Sequence, residues 1–288
     1  MSFSTRITCL ADNTVTELIP DEAFVEHLSE PGRNFLAEHG FSVLVETSSG
    51  ERVLFDAGAT DRAVPHNLEL LGLDIARDID TAVLSHGHSD HAGSIGLLRC
   101  PVHAHPEAPG ARFIVRNGRA RYDLSAPALA FIGDRLTLSS EPEEVAPGVW
   151  TTGEIPRENG WEVPEGFARI RGETLESDPI NDDQGLAIVT PQGLVVITGC
   201  AHAGVLNTVE QARRVTGVDR IHAIIGGFHL IGAEPAKVRR TIAGIRKIAP
   251  KVLAANHCTG LRSTAELLTE FPESFVAFTA GHRLTVPE

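Results

Sequence analysis

The sequence predicts an α/β fold, and three observations carry that prediction. Short apolar runs alternate with segments of helical apolar spacing. Several of these runs stop at Gly- or Asn-flanked histidines just before a helix opens, the place where α/β proteins assemble their sites. Two pairs of runs are joined by short Gly-containing turns, so antiparallel hairpins accompany the strand–helix units.

Composition narrows the class. With 42% hydrophobic and 22% charged residues, the 288-residue chain can bury one sizeable core and reads as a single domain, 1–288. No apolar stretch approaches the length that crosses a bilayer, and the start lacks the basic and apolar regions of a secretory signal. A cytoplasmic location without membrane partners is therefore expected. Cys9, Cys100, Cys200 and Cys258 have no CxxC or framework spacing, so reduced thiols are expected. A formal charge of −13 opposes a phosphodiester polyanion. The expected partner is a small molecule and not a nucleic acid, with a homo-oligomer left open.

In chain order, Arg6 to Leu10 predicts a first strand that breaks at Ala11-Asp12-Asn13. The polar stretch with Glu17, Asp21, Glu22 and Glu26 predicts a loop plus a short helix. Phe41 to Thr47 and Arg52 to Asp56 form a hairpin through Ser48-Ser49-Gly50. Asp56 closes the second strand in Asp-Ala-Gly and is expected to brace a metal ligand, or to bind metal itself. Ala63 to Leu71 has helical spacing, and Ile79 to Leu84 is a buried strand.

That strand delivers the densest chemistry in the chain, His86-Gly87-His88-Ser89-Asp90-His91. Four metal-binding side chains fall within six residues. Imidazole and carboxylate suit zinc, with iron or manganese as alternatives. The turn lets His86 and His88 address one ion while Asp90 and His91 reach a second. A helix is expected from Ala92 to Leu98. Pro101 to Pro106 then predicts a short strand on which His103 and His105 share a face, in a supporting or structural role, with metal binding the alternative.

From about 109 to 180 the sequence turns irregular, as a lid or specificity insertion would. Phe113 to Tyr122 carries an Asn117-Gly118 hairpin signal within a basic island of Arg112, Arg116, Arg119 and Arg121. Two readings stand: a solvated hairpin, or a lid whose arginines hold a substrate phosphate or carboxylate. Gly160 to Asp178, with Trp161 and Phe167, is a second candidate cover.

Order returns with Asp182-Asp183-Gln184. Leu186 to Thr190 and Leu194 to Thr198 form a hairpin ending in Gly199-Cys200-Ala201-His202. A helix follows from about Gly204 to Val215. The strand Ile221 to Ile225 runs into Gly226-Gly227-Phe228-His229, and after a helix from Pro235 to Ile248 the strand from Val252 runs into Asn256-His257-Cys258. A helix from Thr264 to Phe271 and a strand from Phe275 to Thr279 are expected to close the chain. Three strand-end histidines, His202, His229 and His257, are thus expected to converge on the HxHxDH turn.

Together these residues resemble the metallo-β-lactamase-fold superfamily from Phe41 to the C-terminus. The Glu38-His39-Gly40-Phe41-Ser42, Thr198-Gly199-Cys200-Ala201-His202, Gly226-Gly227-Phe228-His229 and His257-Cys258-Thr259-Gly260 segments look like its dihydropteroate-synthase-like, or class II metal-dependent hydrolase, branch. The resemblance implies an αββα sandwich of two mixed sheets flanked by helices, with a dinuclear site on one edge. It places His86 and His88 on the first metal, and Asp90, His91 and His257 on the second. Relatives commonly have a histidine before the late hairpin and a bridging aspartate at its end; this chain has Asp182-Asp183 and Cys200. His202 is expected to complete the first site, with Asp183 its rival, and Cys200 either bridges as a thiolate or packs. His229 takes the place of a general acid or substrate-orienting histidine.

The implied activity is hydrolysis of a small anionic molecule by metal-activated water, with Asp90 and His229 as catalytic groups. Two alternatives accompany it: condensation of a pterin diphosphate with an aminobenzoate-type partner, and a non-catalytic metal or ligand sensor.

Overall fold

The computed structural model describes residues 4–16, 21, 24–29, 32–117, 119–163 and 165–287. Glu17, Glu22 and Gly118 lie outside the described residues.

The strands in chain order are β1 (Thr5–Ala11), β2 (Val25–His27), β3 (Ser42–Glu46), β4 (Arg52–Phe55), β5 (Thr81–Val83), β6 (Val102–Ala104), β7 (Arg112–Arg116), β8 (Arg119–Asp123) and β9 (Leu136–Leu138). They continue with β10 (Glu144–Ala146), β11 (Val149–Thr151), β12 (Phe167–Arg171), β13 (Thr174–Ser177), β14 (Gly185–Thr190), β15 (Gly193–Thr198), β16 (Ile221–Gly227), β17 (Val252–Asn256) and β18 (His282–Val286). The α-helices are α1 (Ala63–Leu70), α2 (Val205–Thr216), α3 (Pro235–Ile248) and α4 (Leu261–Glu270).

Two mixed sheets form the body. One runs β2-β18-β1-β3-β4-β5-β6-β9, the other β10-β11-β14-β15-β16-β17. Parallel pairs β4–β5, β5–β6, β15–β16 and β16–β17 sit beside antiparallel ones.

Strand periodicity explains why the central strands are apolar throughout. Successive side chains point to opposite faces, and here both faces are covered. Val43, Val45, Val53 and Phe55 point inward to meet Leu186, Ile188, Val195 and Ile197 of the other sheet. Leu44 and Leu54 point outward onto Val64 and Leu68 of α1. On the far side, Leu194 and Val196 pack beneath Val205 and Val209 of α2 and Val238, Ile242 and Ile245 of α3. Three apolar layers between helix, sheet, sheet and helix give the αββα sandwich. Each such side chain contributes about 1.5–3 kcal/mol when fully buried.

Several local expectations change. The helix expected over 92–98 is instead a single 3₁₀ turn, Ile95–Leu97, which follows another at Ser89–His91. Gly93 packs directly on the Ala59–Thr60 backbone, where a Cβ would lie 2.2 Å from two main-chain atoms, and Ser94 Oγ donates to Thr60 O. This segment is shaped by its neighbour. In the early polar stretch the element found is strand β2, pairing with β18, and no helix occurs there among the described residues. The segment 275–279 makes one bridge, Leu253 to Phe275, and the closing strand is β18. The His282-Arg283-Leu284-Thr285-Val286 alternation was the available signal for it.

The 109–180 stretch is more ordered than its composition suggests. β7, β8, β12 and β13 form a four-stranded antiparallel sheet, while β9 extends the first sheet and β10 and β11 extend the second.

Candidate metal centre

The C-terminal ends of β4, β5, β15, β16 and β17 deliver the site. At four of the turns that follow, a non-glycine residue adopts left-handed backbone: Asp56 (φ 60°), Ala201 (φ 53°), His229 (φ 44°) and His257 (φ 49°). This conformation costs an L-residue roughly 1–2 kcal/mol, and its clustering marks a constrained site. Gly87 serves the same end by absence of bulk, since a Cβ there would fall 2.0 Å from Ala108 O.

Asp56 organises the HxHxDH turn from below. Its Oδ1 accepts Ser85 N–H at 2.7 Å, and its Oδ2 lies 2.7 Å from His91 Nδ1. Fixing one ring nitrogen aims the other. His91 Nε2 accordingly stands 3.3 Å from Cys200 Sγ. His86 Nδ1 is 2.8 Å from Ser85 Oγ, and His86 Nε2 is 2.9 Å from His88 Nδ1.

Three histidines, His86, His88 and His202, bring donor atoms within 4.8 Å of one another, and Asp90, His91 and His257 do the same. Cys200 lies between them, grouped with His86 and His91, with His202 and His229, and with His257 and Cys258. Asp183 joins none of these groups among the described residues. Its Oδ2 accepts Ala203 N–H at 2.7 Å, which holds the turn that carries His202. Burial raises Asp183 to about 7 against the opposing pull of the Ala203 N–H and Arg157.

The donors fit a metal on their own evidence. His88 Nε2, His257 Nε2, both ring nitrogens of His202 and His229 Nδ1 are buried without a hydrogen-bond partner. Each orphaned polar atom would be costly. Imidazole lone pairs held this way are what a divalent ion accepts.

Electrostatics differs along the site. Burial, then neighbouring histidines, pushes His86 and His202 well below the ordinary imidazole range. Burial likewise takes His88 down to about 3, with Asp90 opposing and Arg112 adding. His91 goes the other way, to about 9, because Asp56 and Asp90 outweigh its burial. Asp90 is held well below the ordinary carboxylate range: burial opposes this, but His91, His257 and His88 prevail.

The basic island divides. Arg112 is buried and pairs with Asp178 at 2.7 Å and Asp182 at 2.9 Å, so its charge is satisfied inside the protein and it is not a lid arginine. Asp182 in turn accepts Gly87 N–H at 2.7 Å, tying the four-stranded sheet to the HxH turn. Arg116, Arg119 and Arg121 are exposed on the β7–β8 hairpin, and no ion pair or hydrogen bond links them to the centre among the described residues. His103 pairs with Glu143 at 2.8 Å and His105 lies 3.5 Å from Glu154.

Two contributors, Asp12 and Asn13, carry no functional expectation in the sequence, and two others, Phe167 and His39, enter it only as members of a candidate cover and a family segment. Asp12 and Asn13, read as a mere strand break, orient His257. Asp12 Oδ1 accepts its N–H at 2.9 Å and Asn13 Oδ1 lies 3.2 Å from its Nδ1. Phe167 stacks on His88 with ring centroids 5.5 Å apart and meets His202 edge-on at 5.1 Å. His39, 76% exposed in its side chain, sits 3.7 Å from Asp90 at the rim. Such pairings join residues far apart in sequence, and only the Asp12-Asn13 pair at a strand end carried a local hint.

Comparison with known proteins agrees with this geometry. The model for the metallo-β-lactamase superfamily matches residues 37–204. A 7,8-dihydropterin-6-methyl-4-(β-D-ribofuranosyl)-aminobenzene-5'-phosphate synthase of Methanocaldococcus jannaschii is 32% identical over 269 residues, covering 86% of this chain and 90% of its own. An uncharacterized protein of the same archaeon is 31% identical over 246 residues, covering 82% and 89%. Among solved structures, a metal-dependent hydrolase of the β-lactamase superfamily superposes with a TM-score of 0.81 at 27% identity, covering 99% of this chain and all of its own. The Zn²⁺-bound PqqB of Methylobacterium extorquens, at 14% identity, TM-score 0.51 and 85% and 87% coverage, shares the fold. The chain belongs to the metallo-β-lactamase superfamily.

Proposed function

We propose that the protein is a metal-dependent hydrolase of a small anionic substrate bearing a phosphate or carboxylate. The observation that carries this reading is the set of buried imidazole nitrogens without hydrogen-bond partners, grouped around Cys200 and bordered by Asp90. His86, His88 and His202 would hold one divalent ion, and Asp90, His91 and His257 a second, with zinc the first choice and iron or manganese the alternatives. Ions held there supply Lewis acidity, which acidifies water and stabilises charge on a substrate oxygen.

The chain's own groups do the rest. Asp90, one-fifth exposed in its side chain, lies at the open edge, where it orients the attacking water. His229, its Nδ1 free of hydrogen bonds, steadies the developing charge on the leaving oxygen. Phe167 excludes water above His88 and His202.

A second reading keeps the centre and changes the nucleophile. The M. jannaschii relative is named as a synthase whose product joins a dihydropterin-methyl group to a ribofuranosyl-aminobenzene phosphate. This supports a condensation in which an arylamine displaces pyrophosphate from a pterin diphosphate.

One assay separates the two. Zinc-loaded protein is given phosphate esters and pterin diphosphates, and phosphate and pyrophosphate release is followed with and without an arylamine. Hydrolysis predicts release without the amine, and condensation predicts release only with it. Tight binding with no release under either condition would overturn both and favour a sensor.

A further inference from the structure

We propose that Cys258 supplies a second sulfur donor to this centre, so that Cys200, Cys258 and His257 make a thiolate-rich position selecting zinc-like ions over manganese or magnesium. The inference rests on the metal-centre reading above and specifies which ion that centre takes.

Adjacent residues on an extended strand face opposite ways. The end of β17 departs from that rule. His257 has left-handed backbone, φ 49°, and opens the 3₁₀ turn His257–Thr259. The turn brings the donor atoms of both His257 and Cys258 within 4.8 Å of each other and of Cys200 Sγ. Sulfurs about 2.3 Å from zinc at tetrahedral angles stand about 3.8 Å apart, so this spacing suits a shared ion.

Space beside the sulfur is also kept clear. A Cβ at Gly227 would lie 2.6 Å from Cys258 Sγ and 2.5 Å from Gly199 O. All three donor residues are buried, and His257 Nε2 has no hydrogen-bond partner. The thiol's hydrogen bond to Cys200 O is 3.5 Å long, a weak contact that a merely packing cysteine would make as well. Soft sulfur ligands favour zinc, cobalt, cadmium and ferrous iron over the hard ions bound through oxygen. On binding, each thiol releases its proton to solvent and donates a sulfur lone pair.

Cobalt substitution reads the sulfur donors directly. Metal-stripped wild type, Cys200→Ser, Cys258→Ser and the double variant are titrated with Co²⁺, and the near-ultraviolet sulfur-to-cobalt charge-transfer band is recorded. Each single variant is expected to lose a substantial part of the band and the double variant all of it. Zinc affinity of Cys258→Ser is expected to fall on the order of tenfold or more, with manganese affinity little changed. Full band intensity and unchanged zinc affinity in Cys258→Ser would overturn the proposal. Should that variant misfold, as judged by far-ultraviolet circular dichroism, cadmium NMR of the wild type counts sulfur ligands without any substitution: a shift typical of two sulfurs supports the proposal, and one typical of a single sulfur overturns it. None of these readouts uses turnover, so an inactive protein would count against the hydrolase reading alone.

Discussion

The two ends of the metal centre are built from different chemistry. At one end His86, His88 and His202 offer only imidazole, covered by Phe167 from the four-stranded sheet. At the other, Asp90 and Asp56 surround His91 and His257, and the rim opens to solvent beside His39. Burial decides the first end and holds its rings neutral, with lone pairs free for donation. Carboxylates decide the second and raise His91 to about 9, the behaviour of a position that calls for positive charge. One end would thus attract a cation through lone pairs and the other through charge.

The comparison can be broken most severely at the imidazole end. His86→Ala together with His88→Ala is expected to abolish turnover and the metal bound at that end. Elemental analysis showing full occupancy in that variant would remove the assignment.

A large effect on stability is expected from Arg112→Met, which strands the buried carboxylates of Asp178 and Asp182 and loosens the Gly87 turn. Losing one partner of a buried charge network costs about 3–5 kcal/mol, to be read from denaturant midpoints. A loss within 0.5 kcal/mol, the range of a surface substitution, would mean that the sheet covering the imidazole end is held by other contacts.

At the carboxylate end, Asp56→Asn keeps the shape and removes the charge that orients His91. Metal affinity is expected to drop about 10–100-fold, the range for a residue that braces a ligand through its second ring nitrogen. An equal drop in metal affinity at the imidazole end, measured by competition titration, would show that the ends are not independent.

The smallest effect concerns the cover. Glu162 accepts N–H groups of Leu206 and Asn207 at the start of α2. Burial raises its carboxyl from the ordinary 4.5 to about 7, against the pull of those N–H groups and Lys237. The folded state therefore keeps a proton that the unfolded chain has released. Its contribution is fully present below pH 4.5 and is lost as pH rises to about 7. Glu162→Gln should flatten that part of the stability profile in thermal melts from pH 5 to 7.5. An unchanged slope would assign the pH dependence elsewhere.

How much of this was legible in the sequence depended on whether the cause was local. HxHxDH announced itself because its ligands are neighbours in the chain, and the hairpins and helices α2 and α3 followed from apolar spacing and turn residues. β18 was missed because its partner, β1, lies at the opposite end of the sequence. Apolar spacing predicts a helix where the 3₁₀ turn Ile95–Leu97 lies, because spacing does not report that Gly93 must lie against Ala59 and Thr60. Arg112 looked like a surface charge, since its partners Asp178 and Asp182 are more than sixty residues away.

The sequence by itself determined the fold class, the HxHxDH turn and the strand-end placement of His202, His229 and His257, because backbone periodicity and adjacent ligands are short-range properties. Only the tertiary structure decided that Asp183 holds a turn while His202 stands with His86 and His88, that Cys200 lies amid three donor groups, and that Cys258 joins it. Those outcomes depend on how two sheets pack, and packing brings together donor atoms whose separation in the chain carries no record of their distance in space.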